Sequence, residues 1–300
     1  MTPALPAYQQ PAVQEFPHPA VINAGISVHI LREDQNHTEV SGNKWWKLRP
    51  YLEEATRTGR ALVTFGGPWS NHIYATAAAC SAAGITCTGI IRGERPPVLS
   101  ATLRFAEECG MQLEFVSRDV YRRKEDLDVL DQIRMRFGNV MIVPEGGSGP
   151  EAVEHCAAWG RKIASEHEFD ILCCPVGTGG TMAGLLRGTP ESIRLLGFPA
   201  LKGSDHLTGI IIRSASEPER KNWQLMTDFH YGGYGKAPRV LLAFIREMND
   251  RFNLPLDAVY TGKMMMGLIT LANNGFFQRG SRLLALHTGG IQGNRGFNWY

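Results

Sequence analysis

The stretch DILCCPVGTGGT, residues 170–181, shows the pattern on which the fold depends, an apolar run that ends in a glycine pair. The pattern recurs where ALVTF, VMIVPE and LLALHT lead into glycine pairs at 66–67, 146–147 and 289–290. Short continuous apolar runs are typical of strands buried on both faces, as in parallel sheets. The glycine pairs then fall at the carboxyl ends of strands, where open α/β sheets bind ligands.

Longer patterns between these runs predict helices at residues 75–83, 99–109, 120–137 and 238–252. Strands that alternate with helices indicate a doubly wound α/β protein. About ten strand candidates approach the comfortable limit of one open sheet. We therefore predict two doubly wound open sheets with the ligand site between them.

The composition excludes several classes of function. The 300 residues include 31 Lys+Arg and 29 Asp+Glu, so the net charge of +2 provides no basic surface for nucleic acid or anionic membranes. No apolar run approaches the roughly 18 residues that a membrane span needs. The first 20 residues lack a basic n-region and contain several prolines, which predicts an irregular lead-in rather than a signal peptide. We expect a cytoplasmic protein.

The six cysteines do not form a Cys-x-x-Cys pair. Cys173 and Cys174 are adjacent within an apolar run, where free thiols are usually buried. The cysteines therefore predict neither a metal site nor a disulfide framework.

The stretch SGNKWWKL, residues 41–48, contains the first candidate reactive group. Lys44 and Lys47 are three residues apart and share one face of a helical turn. A lysine in a partly apolar loop beside another cation loses proton affinity, which makes its amine nucleophilic near neutral pH. The alternative is that both lysines are solvated and flank a buried tryptophan, since most lysines lie at the surface.

The stretch GGPWSNH, residues 66–72, lies between a predicted strand and an alanine-rich helix. Ser70 or Asn71 is well placed to cap that helix. Ser70 and His72 are only two residues apart, so they do not form a hydrolase dyad by themselves. The Gly-x-Ser-x-Gly elbow of α/β-hydrolases is absent as well.

A glycine-rich turn follows the strand DILCCPV and precedes a helix pattern. Its residues are Gly177, Thr178, Gly179, Gly180 and Thr181. Backbone N–H groups and hydroxyls at a helix N-terminus suit a phosphate. The turn matches neither Gly-x-Gly-x-x-Gly, because Met182 replaces the last glycine, nor a Walker loop. A monophosphate fits best, and a tight turn that needs small residues is the alternative.

Two further stretches, residues 260–263 (YTGK) and 287–290 (HTGG), each follow a strand candidate and supply hydroxyls. Lys263 is a second candidate amine, although it is more typical of a helix start. A phosphate-binding turn, a reactive lysine and an α/β scaffold together point to pyridoxal phosphate. That cofactor needs a lysine to bond covalently, a phosphate cradle and a polar partner for its ring nitrogen.

The chain resembles the D-cysteine desulfhydrase / 1-aminocyclopropane-1-carboxylate (ACC) deaminase family of fold-type-II pyridoxal phosphate enzymes, in the tryptophan-synthase-β superfamily. The likeness runs from about residue 31 to the C-terminus. It covers the motifs S-G-N-K-x-x-K-L, G-G-x-x-S-N-H, P-x-G-G-S, V-G-T-G-G-T-x-A-G, G-Y-G, V-Y-T-G-K-x-M-x-G and H-T-G-G. The resemblance implies a larger domain from residues 1–46 and 150–300 and a smaller inserted domain from 47–149. It also implies a small amino-acid substrate, and a symmetric homodimer is the default expectation.

The resemblance also implies roles for the residues at the amino-terminal motifs. Lys44 matches the lysine that bonds to the cofactor and, once released, takes the substrate's α-proton. Lys47 matches a basic residue near the cofactor phosphate, which residues 177–181 bind. Asn71 matches the partner of the ring hydroxyl, and Ser70 matches its neighbour that faces the substrate.

The carboxyl-terminal motifs imply the remaining roles. Tyr234 and Tyr260 resemble the pair of active-site tyrosines. Thr288 matches the position that faces the pyridine nitrogen, and Thr261 lies beside it. In the deaminase branch glutamate and leucine occupy the positions of Thr261 and Thr288, whereas the desulfhydrase branch has small hydroxyl residues.

The implied activity is α,β-elimination from a small amino acid, with D-cysteine as the expected substrate. ACC deamination, racemisation or β-replacement on serine-like amino acids, and a catalytically silent ligand-binding module are the alternatives. The intact set of Lys44, Ser70, Tyr234 and Tyr260 opposes the silent module. Trp46, in place of the family's usual arginine, and a shorter, divergent stretch at residues 185–233 leave the substrate open.

Overall fold

The computed structural model describes residues 5–217 and 219–297. Its strands are β1 (Val13–Glu15), β2 (Ser27–Leu31), β3 (Leu62–Gly66), β4 (Cys87–Arg92), β5 (Gln112–Val116), β6 (Met141–Val143), β7 (Ile171–Val176), β8 (Arg194–Pro199), β9 (Trp223–Leu225) and β10 (Arg282–Leu286). Its α-helices are α1 (Pro19–Ala24), α2 (Asn43–Thr58), α3 (Asn71–Ala83), α4 (Ala101–Glu108), α5 (Arg118–Arg122), α6 (Leu127–Phe137), α7 (Pro150–Glu166), α8 (Gly180–Gly188), α9 (His206–Ala215), α10 (Arg239–Phe252) and α11 (Thr261–Asn273).

The strands form two sheets, which confirms the predicted architecture. The larger sheet has the order β1-β2-β10-β7-β8-β9 and is parallel except for β1. The smaller sheet has the order β5-β4-β3-β6 and is entirely parallel. All strands of the smaller sheet lie between residues 62 and 143. The domain boundaries drawn at residues 46/47 and 149/150 stay a prediction.

Three of the four strands that lead into glycine pairs, β3, β7 and β10, lie inside the sheets, whereas β6 is an edge strand. β3 and β7 are buried along their whole length, because each pairs with strands on both sides and packs under helices. Continuous apolar sequence is what such a strand requires. The loops at the carboxyl ends of these two strands therefore occupy the positions at which ligands of open sheets bind.

Two local expectations differ from the structure. The pattern at residues 120–137 forms two helices, α5 and α6, because Asp126 has an extended backbone and interrupts the helix. The lead-in is not wholly irregular either, since β1 pairs antiparallel with β2. Phe16, directly after β1, is buried in the core of the larger sheet, so tertiary contacts order this segment.

Some global features follow from the described ranges. No helix there is long and apolar enough to cross a membrane. Neither range contains a group of three His, Cys, Asp or Glu side chains that could hold a metal ion. All six cysteines are free thiols, and all but Cys109 are buried.

Glu33 links the lead-in segment to two helices. Its carboxylate is fully buried and accepts hydrogen bonds from four uncharged donors. These donors are Tyr8 Oη at 3.0 Å, Trp159 Nε1 at 2.9 Å, Asn36 Nδ2 at 2.6 Å and Trp46 Nε1 at 3.4 Å. Trp46, where the resemblance leads us to expect arginine, stacks on Trp159 with ring centroids 5.7 Å apart. At residue 46, Glu33 therefore has the neutral indole of Trp46 as a donor and not the cation that an arginine would provide.

Burial dominates the proton affinity of this carboxyl. Desolvation raises the pKa of Glu33 from 4.5 to about 7, although the four hydrogen bonds oppose the rise. A carboxyl whose pKa is higher in the folded state stabilises the fold most below its unfolded pKa. That contribution is complete below pH 4.5 and is lost as the pH rises through about 7.

We predict that Glu33→Gln removes this pH dependence. Compared with the variant, the wild type should lose about 3 kcal/mol of unfolding free energy between pH 4.5 and 7, because a shift of one pKa unit corresponds to about 1.4 kcal/mol. Urea unfolding across this pH range measures the unfolding free energy of both proteins. Subtracting the two values removes the contribution of the histidines, which titrate in both. The exposed Glu53→Gln is the control and should give a constant difference. A constant difference for Glu33→Gln as well would contradict the prediction.

Candidate active site

A cavity of about 790 Å³ lies where the carboxyl-end loops of the two sheets meet. Its volume is within the range of about 300–1,000 Å³ that is usual for small-molecule sites. It brings together twelve of the thirteen predicted site residues. These are Lys44, Lys47, Ser70, Asn71, Gly177, Thr178, Gly179, Gly180, Thr181, Tyr234, Tyr260 and Thr288. Thr261 is the exception.

A backbone contact positions Lys44. Gly42, directly before α2, has φ +68°, and a Cβ built on it would lie 1.9 Å from the carbonyl oxygen of Thr288. Only glycine fits there, because any side chain would overlap the backbone beyond β10. Asn36 holds the same residue, since its amide accepts from the Gly42 N–H at 2.9 Å and donates to the Gly42 carbonyl at 3.1 Å. α2 therefore starts at the loops that follow the larger sheet.

The two lysines of α2 lie close together in a desolvated place. Burial lowers the pKa of Lys44 from 10.5 to about 8. Burial and then the positive charge of Lys44 lower the pKa of Lys47 to about 7. Lys47 is only 2% exposed, and its Nζ donates to Ser148 Oγ at 2.7 Å. The predicted loss of proton affinity is thus present, and the alternative of two solvated lysines does not describe the structure.

The glycine-rich turn has the geometry of an anion cradle. Gly179 has φ +90° and precedes α8, so the N-terminus of that helix opens at the turn. A Cβ on Gly180 would lie 2.8 Å from Ser148 Oγ, which shows how closely the two loops approach. Ser148 Oγ is also 2.5 Å from Thr178 Oγ1. Backbone N–H groups, two hydroxyls and the Lys47 ammonium form a donor set that suits a phosphate monoester.

Asn43 connects this turn to the reactive amine. Its Nδ2 donates to Thr181 Oγ1 at 2.8 Å, and its Oδ1 accepts from Lys44 Nζ at 3.4 Å. The amide thus bridges the glycine-rich turn and the Lys44 amine. A compact cofactor that spans a phosphate and a lysine fits this arrangement.

Ser70 and Asn71 lie at the start of α3. Ser70 caps the helix as predicted, because its Oγ accepts from the N–H groups of His72 and Ile73 at 3.2 and 3.3 Å. The Asn71 amide packs against Gly290, whose Cβ would lie 2.4 Å from Nδ2, and Oδ1 accepts from Gln292 at 3.2 Å. Both side chains also line the cavity. Capping and ligand contact are therefore compatible.

The two predicted tyrosines meet at the cavity. Their rings meet edge to face at an interplanar angle of 69°, with centroids 6.1 Å apart. Tyr260 lies against Gly177, whose Cβ would be 3.1 Å from its ring. Burial, followed by the proximity of Tyr234, raises the pKa of the Tyr260 phenol well above 10. Tyr234 is 45% exposed. Both phenols are therefore protonated at neutral pH.

Thr261 has a different setting from Thr288. Thr261 is fully buried, and its hydroxyl donates to Asp257 Oδ1 at 2.7 Å. The Asp257 carboxylate also accepts from three backbone N–H groups at the start of α11. Thr288 lines the cavity with 8% of its surface exposed. Of the two threonines, only Thr288 is placed to contact a ligand.

Lys263, the rival amine, is not available for chemistry. It is 1% exposed in α11, and its Nζ donates to the carbonyls of Gly233 at 2.7 Å and Ala200 at 3.4 Å. Gly233 precedes Tyr234, so this lysine ties the tyrosine's loop to the end of β8. Its position at a helix start was the favoured interpretation of the sequence.

Sequence reasoning missed three residues of the site. Asn43 and Ser148 belong to the motifs S-G-N-K-x-x-K-L and P-x-G-G-S, and their contacts with the glycine-rich turn appear only in three dimensions. His72 was considered only as a hydrolase partner. Thr64 Oγ1 donates to a backbone carbonyl, so His72 Nε2 donates to Thr64 at 2.7 Å, and Nδ1 is left as an acceptor without a partner. Burial, then the charges of Lys44 and Lys47, lower the pKa of His72 well below 6.5 and keep it neutral.

The residues present fit pyridoxal phosphate. The glycine turn with Lys47 and Ser148 suits its phosphate, and the amine of Lys44 lies one amide away from that turn. The Thr288 hydroxyl and the Asn71 amide supply polar groups in the same cavity. These are the three kinds of group that this cofactor requires.

Comparison with known proteins agrees with this fit. A D-cysteine desulfhydrase of Klebsiella pneumoniae is 26% identical, and the alignment covers 89% of this chain and 87% of that protein. An ACC deaminase of Rhizobium leguminosarum is also 26% identical, with 94% of this chain and 91% of that protein covered. The crystal structure of an ACC deaminase homologue superposes with a TM-score of 0.81 at 26% identity, over 97% of this chain and 93% of that one.

More distant solved structures share the fold alone. They include a fungal L-serine ammonia-lyase from Rhizomucor miehei, which has a TM-score of 0.67 at 10% identity and covers 95% of this chain and 94% of that one. Residues 15–289 match the family described as pyridoxal-phosphate dependent enzyme. With that match over most of its length, the chain belongs to the pyridoxal-phosphate dependent enzyme family.

Proposed function

We propose that this enzyme catalyses α,β-elimination from a small amino acid, with D-cysteine as the preferred substrate. The reaction consumes cysteine and one water and releases pyruvate, ammonia and hydrogen sulfide. The observation that carries the proposal is the Lys44 amine, which shares one cavity with a glycine-rich turn and a pair of tyrosines. A homodimer in the cytoplasm is part of the same proposal.

Residues 177–181, Lys47 and Ser148 would hold the cofactor phosphate, and Asn71 and Thr288 would contact its ring. When bound, pyridoxal phosphate withdraws electrons from the α-carbon of an amino acid that is joined to it. The Asn43 amide supports this assignment, because it bridges the glycine-rich turn and Lys44.

Lys44 is the proposed base. Burial lowers the pKa of its amine to about 8, so about a tenth of it is unprotonated at pH 7, far more than for a lysine with the ordinary pKa of 10.5. A base acts best when its pKa lies near the working pH. Nζ would accept the proton of the substrate's α-carbon. Ser70 and the N–H groups of its loop would orient the substrate carboxylate.

Tyr260 is the proposed acid for the departing group, and Tyr234 would share this role. Burial raises the pKa of both phenols, so each holds its proton at neutral pH. A protonated phenol there would stabilise the thiolate as it leaves by donating a hydrogen bond to it. The edge-to-face contact of the two rings supports a joint role.

Thr288 supports cysteine over ACC. A carboxylate opposite the pyridine nitrogen would keep the ring protonated and a stronger electron sink, as the opening of a cyclopropane requires. The Thr288 hydroxyl is neutral, and the nearby Asp257 carboxylate is engaged by Thr261 and three backbone N–H groups. A weaker sink suffices for a good leaving group such as thiolate.

ACC deamination is the second candidate. The observation that favours it is the likeness to proteins named ACC deaminase, which is as strong as the likeness to D-cysteine desulfhydrase. The two candidates share the cofactor, the lysine and the tyrosines. They differ in the substrate that is consumed, so a substrate assay separates them.

Our prediction for Lys44 concerns the covalent link to the cofactor. Lys44→Ala should lose the visible absorbance of lysine-bound cofactor and reduce turnover by about 10²–10⁴-fold, because the base is gone. The fold should persist, since an amine that borders a cavity leaves little void. The exposed Lys236→Ala is the control. After borohydride reduction, a peptide map with the adduct on Lys47 or Lys263 would overturn the assignment.

Gly179 tests the phosphate turn. Gly179→Val should weaken cofactor binding at least about tenfold, because a β-branched residue resists the positive φ and the new Cβ would lie 3.0 Å from Ile211. Gly203→Val is a matched control, since Gly203 has φ +69° but no neighbouring atom within 4 Å of its Cβ. Equilibrium dialysis of pyridoxal phosphate measures both. If both variants lose cofactor affinity to the same extent, the turn has a structural role and does not bind the phosphate.

The substrate prediction is that D-cysteine yields pyruvate while ACC yields little or no ammonia. The assay covers D-cysteine, L-cysteine, β-chloro-alanine, D-serine and ACC. Thr288→Leu should depress cysteine elimination by at least about tenfold, because the ring nitrogen loses its hydroxyl partner. Thr261→Glu is the less direct variant, since it would bury a second carboxylate beside Asp257. Efficient ACC turnover by the wild type would favour the second candidate.

A further inference from the structure

Arg92, the last residue of β4, lines the same cavity. Its guanidinium lies over Gly67, because a Cβ built on that glycine would be 3.3 Å from Nη2. Gly67 is in the loop that leads to Ser70 and Asn71. The arginine therefore adjoins the loop at which the substrate is proposed to bind.

The guanidinium rests on a fixed aromatic platform. It lies 5.7 Å from the ring centroid of Tyr121, which is 4% exposed. The Tyr121 hydroxyl donates to Glu145 at 2.8 Å, and Lys124 Nζ lies 3.3 Å from the same carboxylate. Stacking on an aromatic ring orients the guanidinium plane and leaves its N–H groups free to bind an anion in two-point fashion.

Arg92 has no protein anion of its own. Within residues 5–217 and 219–297, no hydrogen-bond acceptor is in reach of its guanidinium and no carboxylate is within 4.0 Å. Glu145 is engaged by Tyr121 and Lys124. Arg95, three residues on, is similarly stacked on an aromatic ring but pairs with Glu107 at 2.7 Å. The two arginines differ because Arg95 has a carboxylate partner and Arg92 has none among the described residues. Of the two, only Arg92 lines the cavity.

Arg92 shares the cavity with Tyr234. Burial raises the pKa of Tyr234 and the Glu145 carboxylate adds to the rise, whereas the hydrogen bond with Tyr260 and the charge of Arg92 oppose it. The cation therefore acts in the same cavity as the tyrosine that is proposed to assist the departing group. An anionic group on the β-substituent of a substrate would fall in this region.

We infer that Arg92 is a specificity-determining residue that binds a phosphate or carboxylate on the substrate's β-substituent. This inference rests on the proposed function and extends its substrate class to β-substituted alanines with an anionic leaving group. In the reaction, the Cα–H bond breaks toward the base and the β-substituent leaves with the electron pair of its bond to Cβ. The resulting 2-aminoacrylate takes up one water and yields pyruvate and ammonia.

Matched substrate pairs test the inference. O-phosphoserine is compared with O-acetylserine, and S-carboxymethylcysteine with S-ethylcysteine, both enantiomers of each, by pyruvate release. In the wild type, kcat/KM for the anionic member should exceed that of its neutral partner at least about tenfold. Arg92→Gln should reduce this ratio about 10- to 100-fold, whereas Arg95→Gln should leave it unchanged. The pair that shows the preference identifies the group as phosphate or carboxylate.

A binding measurement separates this inference from the proposed function. Calorimetry on the holoenzyme compares 3-phosphoglycerate with glycerate, neither of which has an amine for the cofactor. If β-chloro-alanine is not consumed, the proposed elimination is rejected. Binding of 3-phosphoglycerate that depends on Arg92 would still support the anion site in that case. If β-chloro-alanine is consumed but both pairs show no charge preference, or Arg92→Gln leaves their ratios unchanged, the inference is overturned.

Discussion

The contact between the Gly42 Cα and the carbonyl of Thr288 is the constraint on which the site depends. It brings the start of α2 against the loop beyond β10, so the chain before α2 and the chain after the last strand meet at one point. A side chain at residue 42 would overlap that carbonyl, which is why a glycine with positive φ stands there. Since Lys44 follows two residues later, this approach fixes where its amine enters the cavity.

Charge is distributed around that point in a way that favours an anionic ligand. Burial lowers the pKa of both Lys44 and Lys47, and the charge of Lys44 lowers that of Lys47 further. A phosphate at the turn of residues 177–181 would offset that repulsion and restore proton affinity to Lys47, whose Nζ already contacts the Ser148 hydroxyl. The positive end of α8 acts in the same direction. Burial of these two amines destabilises the fold, and a bound anion would recover part of that free energy.

Uncharged donors surround the buried carboxylates near the site. Glu33 is held by a phenol, two indoles and an amide, and Asp257 by Thr261 and backbone N–H groups. Neither forms a salt bridge with Lys44 or Lys47, so the lysines keep their affinity for an external anion. Trp46 in place of arginine serves this arrangement, because its indole satisfies Glu33 while adding no charge to the region around α2.

Sequence alone determined the doubly wound architecture, because apolar runs followed by glycines specify buried parallel strands with loops at their carboxyl ends. It also singled out Lys44, Ser70 and the glycine-rich turn of residues 177–181, whose motifs are local and which line one cavity. Tertiary structure alone decided which neighbours these groups meet. The desolvation of Lys47, the engagement of Thr261 by Asp257 and the unpaired guanidinium of Arg92 all depend on elements distant in sequence. Periodicity reports which face of an element is buried, but proton affinity and ligand contact depend on the atoms that another element brings to that face.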